Sequence, residues 1–176
     1  MDPRIELIRT HIRDVPDFPK PGIIFKDITP ILAAPAAFRA AVQLLLEHCR
    51  PLRLDGLVAV ESRGFLFAAP VCWELGIGLH VVRKPGKLPA ACDSVEYSLE
   101  YGTGVLQMHQ KSLSRGQRIL VVDDLLATGG TAAAAARLAA GQGAEVAGCA
   151  FVIELGFLAG RKKIEPLPCH SLVRFD

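Results

Sequence analysis

Asp123 and Asp124 stand just ahead of a run of small and hydroxyl-bearing residues, Ala127, Thr128, Gly129, Gly130 and Thr131. Carboxylates accept hydrogen bonds from hydroxyls. A loop of small residues leads a ligand close to backbone amides, and an alanine-rich helix beginning after it adds free N–H groups and a favourable dipole for an anion. That dipole contributes only about 0.3–1 kcal/mol, up to roughly 2 when partly buried, so several amide and threonine contacts must act together. No lysine follows the glycines and G-x-G-x-x-G is absent, which separates the loop from Walker and dinucleotide loops. Taken singly, Asp-Asp also reads as a polar strand end and Gly-Gly as an ordinary turn. In combination, an acid pair beside an anion cradle suits a phosphorylated sugar, with acids on the hydroxyls and the loop on the phosphate.

The elements that must hold these groups can be read around them. Residues 119–122, Ile-Leu-Val-Val, form the continuous apolar run of a strand covered on both faces in a parallel sheet. That strand is expected to stop at Asp123, and ligands of open α/β sheets bind at such carboxyl ends. Helices are expected over residues 5–12, 35–49, 65–75 and 131–140, with Phe38, Val42, Leu45 and Leu46 on the apolar face of the second. Strands are expected over residues 57–60, 79–82, 119–122 and 146–153. This alternation predicts an α/β fold with a mostly parallel central sheet flanked by helices. The proline-rich residues 16–30 cannot be regular helix and are expected to fold over the core. Between Lys84 and Arg115 the alternation fails. Residues 97–100 and 105–108 read there as a hairpin, a candidate lid.

Other chemistry-bearing residues fall at further strand ends. Ser62 and Arg63 follow the strand at 57–60, and Lys84 and Lys87 follow the one at 79–82. A guanidinium fork matches phosphate oxygens, although each of these charges alone also reads as a solvated strand end. Glu100 lies between Tyr97 and Tyr101. From the residues alone it is a solvated strand carboxylate, and Tyr97 is a packing residue.

Length and composition agree with one compact globular domain spanning residues 1–176. Hydrophobic residues make up 51% of the chain and charged ones 22%, which excludes disorder. A net charge of +2 is too mild to imply a nucleic-acid surface. Cys49, Cys72, Cys92, Cys149 and Cys169 are scattered without a C-x-x-C pair, so neither a disulfide framework nor a zinc site is indicated and a cytoplasmic setting is expected. No signal-peptide core or membrane-length apolar run is present in the sequence.

VVDDLLATGGT resembles the phosphoribosyl-diphosphate (PRPP) motif of type I phosphoribosyltransferases. PDFPKPGIIFKDITP, ESRGFLF, RKPGKLP and YSLEYG are similar to segments of the adenine-specific family in particular. The resemblance implies the type I fold, with an N-terminal hood and base-recognition segment at 1–34 and a flexible lid region at 84–115. It implies transfer of 5-phosphoribose from PRPP to adenine, giving AMP and diphosphate in purine salvage, by a homodimer using Mg²⁺ bound through phosphates rather than a protein cage. By resemblance, Asp123 and Asp124 hold the ribose and Ala127, Thr128, Gly129, Gly130 and Thr131 its 5-phosphate. Ser62, Arg63, Lys84 and Lys87 serve the diphosphate, the lysines in their own or the partner subunit. Ile24, Phe25, Lys26 and Leu155 serve adenine, Glu100 is the acid/base, and Tyr101 closes the lid. At Lys26 related sequences also carry arginine, and Phe25 and Leu155 also read as core. The same fold acting on xanthine, hypoxanthine, guanine or orotate, or binding PRPP as a non-catalytic regulator, is the alternative.

Overall fold

The computed structural model describes residues 2–98 and 103–176. Five parallel strands form the central sheet: β3 (Gly56–Val60), β4 (Gly78–Val82), β7 (Arg118–Leu126), β8 (Glu145–Leu155) and β9 (Cys169–Phe175), in the order β4-β3-β7-β8-β9. α3 (Pro35–Cys49) precedes these strands in the chain, and α4 (Arg63–Leu75), α5 (Gly130–Gly141) and the short α6 (Arg161–Ile164) lie between them. The expected α/β architecture is therefore present.

Both sheet faces are covered. One cluster joins Leu57, Ala59, Leu120 and Val122 to Leu45, Phe67 and Val71 of α3 and α4. The other joins Val58, Val60, Ile119 and Val121 to Ala135, Leu138 and Ala139 of α5. Alternate residues of one strand thus feed two cores, which is why residues 119–122 contain no polar position. Each of the large aliphatic side chains among them contributes about 1.5–3 kcal/mol by leaving water.

The structure departs from the sequence expectations at several boundaries. β7 does not stop at the acid pair but runs on through Leu126, because β8 continues to pair with it, placing Asp123 opposite Phe151, Leu125 opposite Ile153 and Leu126 opposite Glu154. Ladder bonding outweighs the charge, and Asp124 sits inside the strand as a buried residue. α4 begins at Arg63 rather than Phe65. On α3 the fully buried positions are mainly Ala37, Ala40, Ala41, Leu45 and Leu46, while Phe38 and Val42 are only partly buried. β9 and α6 have no counterpart among the expected elements, since CHSLVRF mixes polar and apolar residues at the sheet edge.

Residues 16–30 contain no long helix, but they are more regular than expected. β1 (Arg13–Pro16) and β2 (Ile24–Asp27) pair antiparallel, and α2 (Thr29–Ala33) follows with Pro30 in its first turn, where a missing N–H costs nothing. α1 (Pro3–Thr10) lies ahead of this hairpin, capped by Asp2. Between β4 and β7, β5 (Cys92–Ser98) and β6 (Thr103–His109) form the second antiparallel pair.

Candidate active site

The carboxyl ends of β3 and β7 and the start of α5 enclose a cavity of about 330 Å³. Its wall includes Ser62, Arg63, Lys84, Asp123, Asp124 and the continuous loop Ala127–Thr131, so the structure gathers most of the predicted site residues at one sheet edge. A larger groove of about 710 Å³ lies along α5, but it touches neither carboxylate nor residues 127–129. Size alone does not select the site.

The acid pair is electrostatically unusual. Asp123 Oδ1 accepts a 2.9 Å bond from the Asp124 amide. Burial, reinforced by the adjacent Asp124 charge, pushes the Asp123 carboxyl well above its ordinary value. Burial pushes Asp124 up as well, with Arg63 pulling against it. Arg63 Nε lies 3.0 Å from Asp124 Oδ2. That contact is an ion pair without hydrogen-bond alignment, and Oδ2 is otherwise a buried acceptor with no hydrogen-bond partner among the described residues. A buried unpartnered carboxylate oxygen beside a second, partly exposed carboxylate, both on the cavity wall, suits hydroxyl donors.

Arg63 is positioned by close packing of α4 on β7. A Cβ at Gly64 would come 2.8 Å from the Val122 carbonyl oxygen and 3.1 Å from Asp123 Cα, so only glycine lets the helix start come this near. On its other side, the Arg63 guanidinium carbon lies 5.3 Å from the centre of the Phe25 ring. This contact links the hairpin to the cavity.

Glu61 is the residue the sequence reading passed over. It accepts 3.0 Å and 3.1 Å bonds from Arg83 Nη2 and the Lys84 amide, and Lys87 Nζ stands 3.3 Å away. Burial raises its pKa, but the bonds from Arg83, Lys84 and Lys87 together outweigh that and hold it down to about 2. One carboxylate thus ties the end of β3 to the loop after β4. A lone acid facing two basic strand ends was the available signal. Tyr97, read as packing, does pack: a Cβ on Gly104 across the hairpin would come 2.7 Å from its ring. It also lines the cavity.

The remaining predicted residues lie elsewhere. Lys87 is half-exposed and paired with Glu61, outside the cavity wall. Ile24, Phe25 and Lys26 lie on β2, where Ile24 is exposed and Lys26 is bonded to Asp14 at 2.6 Å above the Phe175 ring. Leu155 ends β8 opposite Phe175 and packs on the first core cluster. Glu100 and Tyr101 lie outside the described residues. The five cysteines are free, with burial raising Cys49 and Cys149 to about 12.

Among the described residues no helix is long and apolar enough to cross a membrane, and no group of three or more His, Cys, Asp or Glu residues is placed to hold a metal ion.

Residues 27–170 match the family model of the phosphoribosyl transferase domain. The adenine phosphoribosyltransferase of Anaeromyxobacter dehalogenans (strain 2CP-1) is 51% identical over 97% of this chain and 99% of its own. Among solved structures, adenine phosphoribosyltransferase from Thermoanaerobacter pseudethanolicus superposes with a TM-score of 0.95 at 48% identity, covering 97% of this chain and 99% of that one. The Saccharomyces cerevisiae enzyme, solved with an imino-altritol bisphosphate and adenine, gives 0.91 at 37% identity over 98% and 99%. With this agreement over nearly the full length, the chain belongs to the adenine phosphoribosyltransferase family.

Proposed function

We propose that this protein transfers 5-phosphoribose from PRPP to adenine, releasing diphosphate and forming AMP for purine salvage. The observation that carries this reading is the convergence of the Asp123–Asp124 pair, Arg63 and the 127–131 loop on one cavity. The near-full-length likeness to relatives named for adenine supports the choice of base.

In this reading Asp123 and Asp124 accept hydrogen bonds from the ribose hydroxyls. The amides and threonine hydroxyls of residues 127–131 bind the 5-phosphate at the start of α5. Ser62, Arg63 and Lys84 receive the diphosphate, and Lys87, held by Glu61, adds positive potential at the same edge, in its own or a partner subunit. Bond breaking leaves positive charge on the sugar carbon and negative charge on the departing diphosphate, so fixed charges placed at both ends stabilise the transition state. Glu100 handles the proton of the purine ring, and Tyr101 closes over the sugar phosphate to exclude water.

Adenine is assigned to the hairpin segment Ile24, Phe25 and Lys26 with Leu155 opposite. The contact of Phe25 with Arg63, the cation assigned to the diphosphate, supports the assignment. Residues 1–34 form the hood, residues 84–115 the lid region, and the whole chain one domain.

The donor set fits Mg²⁺ held chiefly by substrate phosphates and water. The cavity offers two adjacent carboxylates, one with an unpartnered buried oxygen, which suits a metal-bound water or a hydroxyl. Bound there, the ion would neutralise diphosphate charge, and Asp123 and Asp124 would hold its waters. We further propose a cytoplasmic homodimer acting on small molecules, with no nucleic-acid or membrane partner.

Incubation with PRPP, Mg²⁺ and each of adenine, hypoxanthine, guanine, xanthine and orotate tests the reading. AMP from adenine alone is expected. Preferential turnover of another base would reassign the acceptor, and PRPP binding without any product would make the chain a regulator.

A further inference from the structure

The cradle loop is backed by a second backbone segment. Gly160, the residue before α6, adopts φ −58° and ψ −26°, a conformation open to any residue. Nevertheless a Cβ there would collide with the Ala127 carbonyl oxygen, reach 3.0 Å from the Gly129 nitrogen and reach 3.1 Å from the Ala127 carbonyl carbon. Reciprocally, a Cβ on Gly129, whose φ is +81°, would collide with the Gly160 carbonyl oxygen. Two backbones therefore touch at the loop that carries the anion-binding amides. The steric demand at Gly160 comes from that loop and not from its own dihedral angles.

The residue after Gly160 is anchored to the sheet. Arg161 donates through Nε and Nη2 to the two carboxylate oxygens of Glu154 at 2.7 Å and 2.5 Å, through Nη1 to the Cys169 carbonyl at 2.9 Å, and through Nη2 to Ser171 Oγ at 3.0 Å. Glu154 is only 3% exposed and also accepts from Ser171, with Arg174 3.4 Å away. A bidentate pair on a buried carboxylate fixes position as well as charge. β8 and β9 thereby hold Arg161, and Arg161 sets where Gly160 meets the cradle.

We propose that Gly160, Arg161 and Glu154 are positioning residues for the 5-phosphate cradle, the Arg161–Glu154 pair pressing the Gly160 backbone against Ala127 and Gly129 so that the loop amides keep their phosphate-binding geometry. This rests on the reading of residues 127–131 as the phosphate site. None of the three touches the reacting atoms. Their effect falls on affinity for the phosphorylated sugar, because amides displaced from the cradle no longer align with the phosphate oxygens.

The test measures ribose 5-phosphate binding by calorimetry, and KM for PRPP, KM for adenine and kcat, for wild type, Gly160→Ala, Arg161→Ala and Arg161→Lys. Gly160→Ala is expected to weaken ribose 5-phosphate binding and raise KM for PRPP about tenfold or more, with kcat at saturating PRPP and KM for adenine within about twofold and with wild-type circular dichroism. Arg161→Ala should do the same, with Arg161→Lys between it and wild type because an ammonium keeps the charge and loses the fork. Wild-type ribose 5-phosphate affinity in Gly160→Ala and Arg161→Lys would overturn the proposal. So would equal losses in kcat and both KM values, which a general packing defect gives. If wild type itself does not bind ribose 5-phosphate, the cradle reading fails first.

Discussion

Arg63 Nε lies 3.0 Å from Asp124 Oδ2, so the cation assigned to the diphosphate and an acid assigned to the ribose form one ion pair across the cavity. Neither can be changed without altering the other's surroundings. Asp124→Asn should weaken PRPP binding roughly 10–100-fold, the range expected when a hydrogen bond to a charged acceptor worth about 1.5–3 kcal/mol is lost. Folding should be intact, because the amide keeps the shape and removes a buried charge. Calorimetric titration with PRPP checks this, and unchanged affinity would reduce Asp124 to a strand residue.

Asp123→Asn should make the protein more heat-stable at neutral pH while impairing PRPP binding. Burial and the neighbouring Asp124 raise the folded-state pKa of Asp123 well above the ordinary 3.8. For an acid raised on folding, the native state holds its proton more tightly than the unfolded chain. Its favourable contribution is present at low pH and erodes as pH climbs from 3.8 towards the raised value. A neutral amide escapes that loss. The variant's Tm should exceed wild type at pH 7 to 8, by about 2–4 °C per kcal/mol relieved, and the gap should close towards pH 4. A variant less stable than wild type at every pH would contradict it.

Glu61 has the opposite sign. Its pKa is held down to about 2 from an ordinary 4.5 by Arg83, Lys84 and Lys87 acting against burial. The stability it contributes is therefore complete above 4.5 and lost as pH falls through about 2. Glu61→Gln should lower Tm at pH 6 to 7, and the difference from wild type should shrink between pH 4.5 and 2. Scanning calorimetry over that range decides the matter; a constant difference would mean that the carboxylate charge is not what ties β3 to the loop after β4.

Glu100→Ala should lower kcat by about 10²–10⁴-fold, the usual range for a proton-transfer group, with PRPP affinity changed far less. Single-turnover kinetics beside a PRPP titration separate the two. An unaltered rate of the chemical step would remove Glu100 from the reaction.

The sequence was most legible where one strand must satisfy two cores. Residues 119–122 read as a doubly covered strand, and the small-residue loop that follows read as the turn into an alanine-rich helix. Side-chain contacts between segments distant in sequence were not legible. The 5.3 Å approach of Arg63 to Phe25 and the two cations and one backbone amide around Glu61 depend on how the hairpin and β4 lie against β3, which no local pattern encodes. The end of β7 was misjudged for a related reason. Asp123 and Asp124 look like a strand end in isolation, but pairing with β8 and the Arg63 charge hold them inside the ladder. β9 was missed because an edge strand with polar residues on CHSLVRF has no clean period of two.

The most direct measurement is a crystal structure of the protein with AMP bound. The 5-phosphate is expected on the amides and hydroxyls of Ala127–Thr131, the ribose hydroxyls on Asp123 and Asp124, and the purine against the Phe25 hairpin. A phosphate seated instead on Ser62 and Arg63, with the acid pair out of reach of the sugar, would contradict it.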